Sequence, residues 1–167
     1  MKNKIAYLFA TYFGLGFSKY APGTMGSLGT LPLAYALIYF GGFNALMTAA
    51  VIIFILGVPA TTVVIQKSGD DDPSLVVIDE TVGQLLSFSI VAYLAPEYLM
   101  GIDSLWFYVA GFAFFRFFDI LKMGPVKYAD TKIKNAYGVM LDDVFAGIFA
   151  AILLLGVLFV QINMIQV

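Results

Sequence analysis

The chain contains no cysteine and no histidine among its 167 residues. The first absence excludes disulfides, thiol nucleophiles and thiolate metal sites. The second removes the usual general base near neutral pH and the commonest metal ligand. It also excludes serine–histidine triads and phosphatases that use a histidine nucleophile. Charge is scarce as well. Charged residues make up 12% of the chain and hydrophobic residues 61%, against about 25% and about 45–50% in soluble domains. A soluble core of this size cannot absorb that excess, so the composition points into a membrane. The net charge of −2 gives no reason to expect a nucleic-acid partner.

What the chain does have is a series of apolar runs. The N-terminal stretch carries lysines and then an apolar segment with bulky aromatics. It lacks a small-x-small cleavage site and reads as retained. It is too short to span and is expected at the interface or folded back into the bundle. Apolar segments follow at residues 27–42, 44–66, 81–96, 105–121 and 143–162. A spanning helix takes about 20 apolar residues, so the first and third are marginal, with short helices shielded by their neighbours as the alternative. Lipid offers a backbone no hydrogen-bond partner, so each segment should be helical. The expected architecture is an all-α polytopic membrane bundle of four or five spans plus an N-terminal interfacial or re-entrant helix. It forms one domain over residues 1–167, with the N-terminal helix at 1–22 and the bundle at 23–167.

Basic residues set the expected orientation. Lys19, Lys67, Lys122, Lys127, Lys132 and Lys134 fall on one set of connections, and the other connections carry none. The positive-inside rule places the first set in the cytoplasm and, with five spans, the C-terminus outside. Asp79 with Glu80, Asp119, and Asp142 with Asp143 then reach the same cytoplasmic face. So does the Pro-Gly-Thr loop at residues 22–24.

Helix capping and the helix dipole account for one acid at a helix start. They account less well for two adjacent pairs, because like charges at a bilayer edge repel. A divalent cation relieves that repulsion, and oxygen ligands without histidine or cysteine suit Mg²⁺ or Mn²⁺. The candidate ligands are Asp79, Glu80, Asp142 and Asp143. Residues 22–32 are glycine-rich, so the backbone can approach closely and present N–H groups to an anion, with Thr24 and Ser27 adding hydroxyls. Glycines of this kind also serve ordinary helix packing. Arg116, Asp119 and Lys122 share one helical face. Arg116 lies in an apolar run and needs an internal partner, for which Asp119 is placed. Lys122 and Lys127 can reach a phosphate, and Asp130 can join either the cation or the lysines. Lys132 and Lys134 read as positive-inside anchors. Asp70, Asp71 and Asp72 read as a solvated turn.

These groups leave metal–carboxylate chemistry on an anionic substrate at the membrane surface, and phosphate-ester hydrolysis fits it. The alternative is a small ion-coupled transporter or channel, because membrane carboxylates also mark ion paths. Clustering of the acids at one face argues against it.

Four motifs occur in order across residues 14–150: "APGTMGSLGTLP", "VVIDETVGQ", "FRFFDILKMGP" and "GVMLDDVFAG". Together they resemble the phosphatidylglycerophosphatase A family. The resemblance implies an enzyme of the bacterial inner membrane that uses Mg²⁺. Its implied reaction removes the terminal phosphate of phosphatidylglycerophosphate at the cytoplasmic leaflet and leaves phosphatidylglycerol. It implies that Asp79, Glu80, Asp119, Asp142 and Asp143 match the family's acidic positions. Arg116 and Lys122 match its basic positions, and Thr24 and Ser27 its Pro-Gly-Thr loop.

Overall fold

A computed structural model describes residues 2–101 and 104–165. Residues 102 and 103, in one of the lysine-free connections, lie outside it. Among the described residues every regular element is helical. In chain order they are α1 (Lys2–Ala10), a 3₁₀ turn (Leu15–Phe17), α2 (Pro22–Ser68), α3 (Ile78–Ser87), α4 (Ser89–Leu94), α5 (Glu97–Met100), α6 (Ser104–Leu121), α7 (Pro125–Lys132) and α8 (Ala136–Ile165). Helices α2, α6 and α8 are long and apolar enough to cross a bilayer. The all-α membrane bundle expected from composition is the architecture found.

Helix α2 is two limbs, residues 22–41 and 43–68, meeting at Gly42. Gly42 has φ 60° and ψ −152°, a conformation that glycine reaches at little cost. A straight helix would hold Gly26 and Gly57 about 46 Å apart. Yet a Cβ on Gly26 would lie 2.9 Å from Val77 Cβ, and one on Gly57 would lie 3.6 Å from Ile78 Cγ2. Val77 and Ile78 are neighbours in sequence, so the chain folds back at Gly42. This is the break between the first two apolar segments.

The segment expected over residues 81–96 is realised as α3 followed by α4. Neither crosses a bilayer alone. Nearly all of α3 is buried, including Thr81, Val82, Gln84 and Leu85. It forms the axis of the bundle, which suits its polar residues better than lipid does. Gln84 Nε2 donates to Ser87 Oγ at 2.9 Å, and that hydroxyl donates to Gln84 O at 2.7 Å. Around this axis Leu85 and Phe88 pack against Ile38 and Leu46 of the two α2 limbs, Phe107 of α6 and Leu154 of α8.

Lipid is as apolar as leucine, so close packing and polar contacts hold such helices together. Thr30 Oγ1 donates to Thr81 Oγ1 at 3.2 Å between α2 and α3, a contact worth about 0.6 kcal/mol in a membrane. Glycines set the tightest approach, between α3 and α8. A Cβ on Gly83 would meet Asp143 O at 2.6 Å, and a Cβ on Gly147 would reach Gly83 Cα at 3.0 Å.

Helix α8 begins at Ala136, seven residues before the start expected at 143. Asp142 and Asp143 therefore lie inside the helix, beyond the first turn where capping and the dipole act. Asn135 explains the early start: its side-chain Oδ1 accepts the Tyr137 N–H at 2.9 Å, as an N-cap does. The N-terminal helix α1 folds back onto the second limb of α2, with Ala10 in a cluster with Val58, Ala60 and Val64. Ala10 O accepts the Val77 N–H at 3.0 Å, which fixes the loop entering α3.

Candidate active site

The chain's reversals bring the start of α2, the start of α3, the end of α6 and the first turns of α8 to one end of the bundle. Asp79 and Glu80 occupy the first turn of α3, where the helix dipole favours negative charge. Asp79 Oδ1 accepts the Glu80 N–H at 3.0 Å, and Asp142 Oδ1 accepts the Asp143 N–H at 3.0 Å. In each pair, the first acid is thereby turned toward its own backbone. The Gly83–Gly147 approach lies one helical turn beyond both pairs and draws α3 and α8 together.

Asp79, Glu80 and Asp143 each place one carboxylate oxygen within 4.8 Å of the others. Asp79 is 7% and Asp143 3% exposed. Glu80 Oε2 is buried with no hydrogen-bond partner, a vacancy that costs about 1–3 kcal/mol even for a neutral group. Three ionised carboxylates so close repel one another unless a cation lies among them. A hard-oxygen donor set with an unpartnered oxygen fits a divalent ion.

The fourth expected ligand, Asp142, is placed differently. Its Oδ2 lies 3.1 Å from Lys122 Nζ, and the same ammonium pairs with Asp130. Burial pulls the Lys122 pKa down, but the two carboxylates outweigh it and hold it above the ordinary lysine value. Lys122 is a fixed positive charge through the neutral range. Its backbone is left-handed, with φ 44°, which costs a non-glycine residue about 1–2 kcal/mol. Just past the end of α6, this conformation turns the lysine back toward α7 and α8.

Arg116 supplies the second positive charge. Its Nη1 lies 2.6 Å from Asp119 Oδ2, the partner expected for it. Nη1 also donates to Ser27 Oγ at 3.5 Å. Its Nε is buried without a partner. Gly23 lets the start of α2 come this close. A Cβ there would collide with Glu80 Oε1 and lie 3.1 Å from Arg116 Nη1.

These groups line one cavity of about 340 Å³ that takes in Asp79, Glu80, Arg116, Asp119, Lys122, Asp142 and Asp143. Other expected residues stand back from it. Ser27 sits behind Arg116, and Asp130 behind Lys122. Thr24 and Lys127 are not on its wall, and Lys127 is exposed on α7. The wall also holds Ala21, Pro22, Gly23 and Asp72. Asp72 is the residue that sequence reasoning missed. Its signal was the Asp72-Pro73 step, because Pro73 is buried and carries the preceding carboxylate to the cavity.

A profile of the family described as phosphatidylglycerophosphatase A matches residues 8–158. A Haemophilus influenzae protein named phosphatidylglycerophosphatase A is 34% identical over 90% of this chain and 87% of its own length. An Escherichia coli K12 protein of the same name is 31% identical over 87% of this chain and 78% of its own. A Bacteroides thetaiotaomicron protein, provisionally named a phosphatidylinositol-3-phosphatase, is 37% identical over 88% of this chain and 89% of its own. No solved structure is detectably similar to the chain.

Proposed function

The chain belongs to the phosphatidylglycerophosphatase A family and is a phosphoric monoester hydrolase, and from this we propose that it converts phosphatidylglycerophosphate to phosphatidylglycerol and phosphate. We place the reaction at the cytoplasmic face of a bacterial inner membrane, with Mg²⁺ as the cation and Mn²⁺ as its substitute. One observation carries the reading. Acids able to hold a cation and bases able to hold a phosphate share a single cavity at one end of an apolar bundle.

Asp79, Glu80 and Asp143 would hold the ion. A bound divalent cation supplies Lewis-acid stabilisation of charge on the phosphoryl oxygens. Arg116, on the cavity wall, binds the phosphate through its guanidinium while Asp119 and Ser27 fix its position. Lys122, held by Asp130 and Asp142, keeps a second positive charge facing the transferring group. The N–H group of Gly23, in the first turn of α2, lacks an intrahelical acceptor and adds a donor on the same side. Asp142, with both oxygens engaged, positions Lys122 and the Asp143 backbone. Lys127 is left as a positive-inside anchor.

The relative named for phosphatidylinositol-3-phosphatase carries a second reading, in which the same acids serve another headgroup. An ion path, by contrast, needs carboxylates along the bundle. The groove lined by Met47, Phe54, Val82 and Leu141 further along it is wholly apolar.

The deciding experiment is phosphate release by purified protein in micelles holding phosphatidylglycerophosphate. Chelation should abolish release, Mg²⁺ should restore it, and Ca²⁺ should do so poorly because it favours looser coordination. Full activity in the metal-stripped protein overturns the cation reading. Faster hydrolysis of phosphatidylinositol 3-phosphate than of phosphatidylglycerophosphate moves the headgroup. Orientation has its own test in this cysteine-free chain. Ser68→Cys and Asn135→Cys should be shielded from an impermeant thiol reagent in intact cells, while Ser104→Cys and Asn163→Cys should label; the reverse pattern inverts the topology.

A further inference from the structure

Several uncharged residues line the cavity, the buried Pro73 and Val76 among them, and one group reaches the outer surface. Ala21 and Pro22, where α2 begins, and Ile120, near the end of α6, make up that group. Ile120 is also 67% exposed, so that side opens outward. It does not open onto a polar surface. On α6 the exposed residues recur as Val109, Ala113, Phe117 and Ile120, and on α2 as Met25, Leu28 and Pro32, with Ala21 exposed just before its start. Steps of three and four trace one face of each helix. Two apolar stripes thus run along the bundle and converge on the cavity mouth. Arg116, reaching from α6 to Ser27 of α2, spans the seam between them directly beneath it.

We infer that this seam is a lateral portal for a diacyl lipid carrying a phosphate monoester. The headgroup enters the cavity between Ala21 and Ile120 from within the leaflet. The acyl chains stay in the bilayer against Met25, Leu28 and Phe117. The inference rests on the proposed lipid phosphatase and adds the path by which substrate reaches it. The charge arrangement selects the occupant. Arg116 lies on the cavity wall at the head of the seam, so a phosphate arriving there meets a guanidinium, whereas a plain hydrocarbon gains nothing from it. The rival groove, between the second limb of α2 and α8, has no such link. Leu141 and Val144 line it, and at 100° per residue they project from the side of α8 opposite Asp142 and Asp143.

The test uses fluorescence rather than turnover. A bimane label is attached to Ile120→Cys, or to Phe117→Cys one turn deeper should the first variant not fold. Controls carry it at Phe40→Cys, at the far end, and at Val51→Cys, in the rival groove. Each protein is placed in phosphatidylcholine vesicles with a minor fraction of phosphatidic acid brominated on its acyl chains. Parallel vesicles hold equally brominated phosphatidylserine, which is anionic but has no monoester. The portal requires a larger fluorescence loss with phosphatidic acid than with phosphatidylserine at Ile120 or Phe117, and equal losses at Phe40 and Val51. Equal losses with the two lipids at Ile120 and Phe117 overturn it, and an excess at Val51 instead moves entry to the other side of the bundle. Phosphate release from phosphatidylglycerophosphate by the unlabelled wild-type protein in matching vesicles keeps the two readings apart. Hydrolysis without selective quenching refutes the portal alone. Selective quenching without hydrolysis refutes the phosphatase and leaves a lipid-binding seam.

Discussion

Two acidic groups lie within ten residues of one another and meet opposite fates. Asp70 and Asp71 are exposed on the loop after α2. Their charge is solvated, and local turn bonds such as the Asp72 N–H to Asp70 Oδ1 at 3.1 Å account for their residue type. Asp79 and Glu80 enter the bundle with α3 and meet Asp143 there. Composition treats the two groups alike, and burial separates them. A solvated carboxylate costs nothing, so its presence argues for nothing. A carboxylate held among others in an apolar bundle is destabilising unless a partner compensates it. An unpartnered oxygen on Glu80 means that the protein alone does not complete that compensation.

The hardest way to break the contrast is to neutralise the buried group. Asp79→Asn, Glu80→Gln and Asp143→Asn should each lower turnover by about 100-fold or more, the usual loss when a preorganised charge is removed. The same variants should melt at or above the wild-type temperature in chelator, because a repulsive charge has gone. They should also lose the stabilisation that added Mg²⁺ confers. Calorimetry in chelator and in Mg²⁺ reads both effects. A variant that loses activity and chelated stability together would show the acid to be structural.

Gly147→Ala removes no charge and tests the same group through its geometry. The added methyl meets the backbone of Gly83 and separates α3 from α8, which moves Asp143 away from Glu80. A displacement near 1 Å can cost about 100-fold in rate, so a loss of about tenfold to 100-fold is expected, with a smaller Mg²⁺-dependent rise in melting temperature. Wild-type turnover in Gly147→Ala would show that the site tolerates a looser helix pair.

Lys122→Ala comes next, with an expected loss of about tenfold, equivalent to about 1.4 kcal/mol of transition-state stabilisation. It leaves Asp130 and Asp142 without their shared cation. Lys122→Arg should recover part of the rate, because a planar fork does not reproduce a compact ammonium. Initial rates in micelles at low and high salt separate this lysine from Lys132 and Lys134. Surface attraction fades with salt, whereas the Lys122 defect should persist.

Much of this was legible in advance because it follows from single-residue chemistry. The break at Gly42, the extent of α6, the Arg116–Asp119 pair and the gathering of acids at one end all come from apolar run length, glycine and charge placement. What was not legible depends on which surfaces meet. Asp142 and Asp143 looked like a helix start because the apolar run begins after them, yet Asn135 starts α8 earlier. The division of four acids into a trio and a lysine-bound fourth depends on the left-handed backbone at Lys122. Residues 81–96 read as a marginal span and form the bundle axis, where Gln84 Nε2 bonds Ser87 Oγ inside protein. The close α3–α8 approach had a signal in the glycine four residues after each of Asp79 and Asp143.

Asp72 is the sharpest probe of the contrast, because it lies between the two groups. Read by composition it belongs with Asp70 and Asp71, and all three would be silent. The structure places it on the cavity wall, on a loop pinned just after it. Pro73 is buried, Val76 N–H donates to Pro73 O at 2.9 Å, and Val77 N–H donates to Ala10 O at 3.0 Å. Yet Asp72 is exposed, so water and salt weaken its field at Lys122. Asp72→Asn should therefore change initial rate by about threefold at low ionic strength, the scale of an exposed charge contributing under 1 kcal/mol. The change should vanish near 1 M salt, where the screening length falls to about 3 Å. Asp70→Asn and Asp71→Asn should match wild type at every salt concentration. A salt-independent loss in Asp72→Asn as deep as that of Asp79→Asn would make Asp72 part of the cation site. Silence at low salt would return it to the solvated turn.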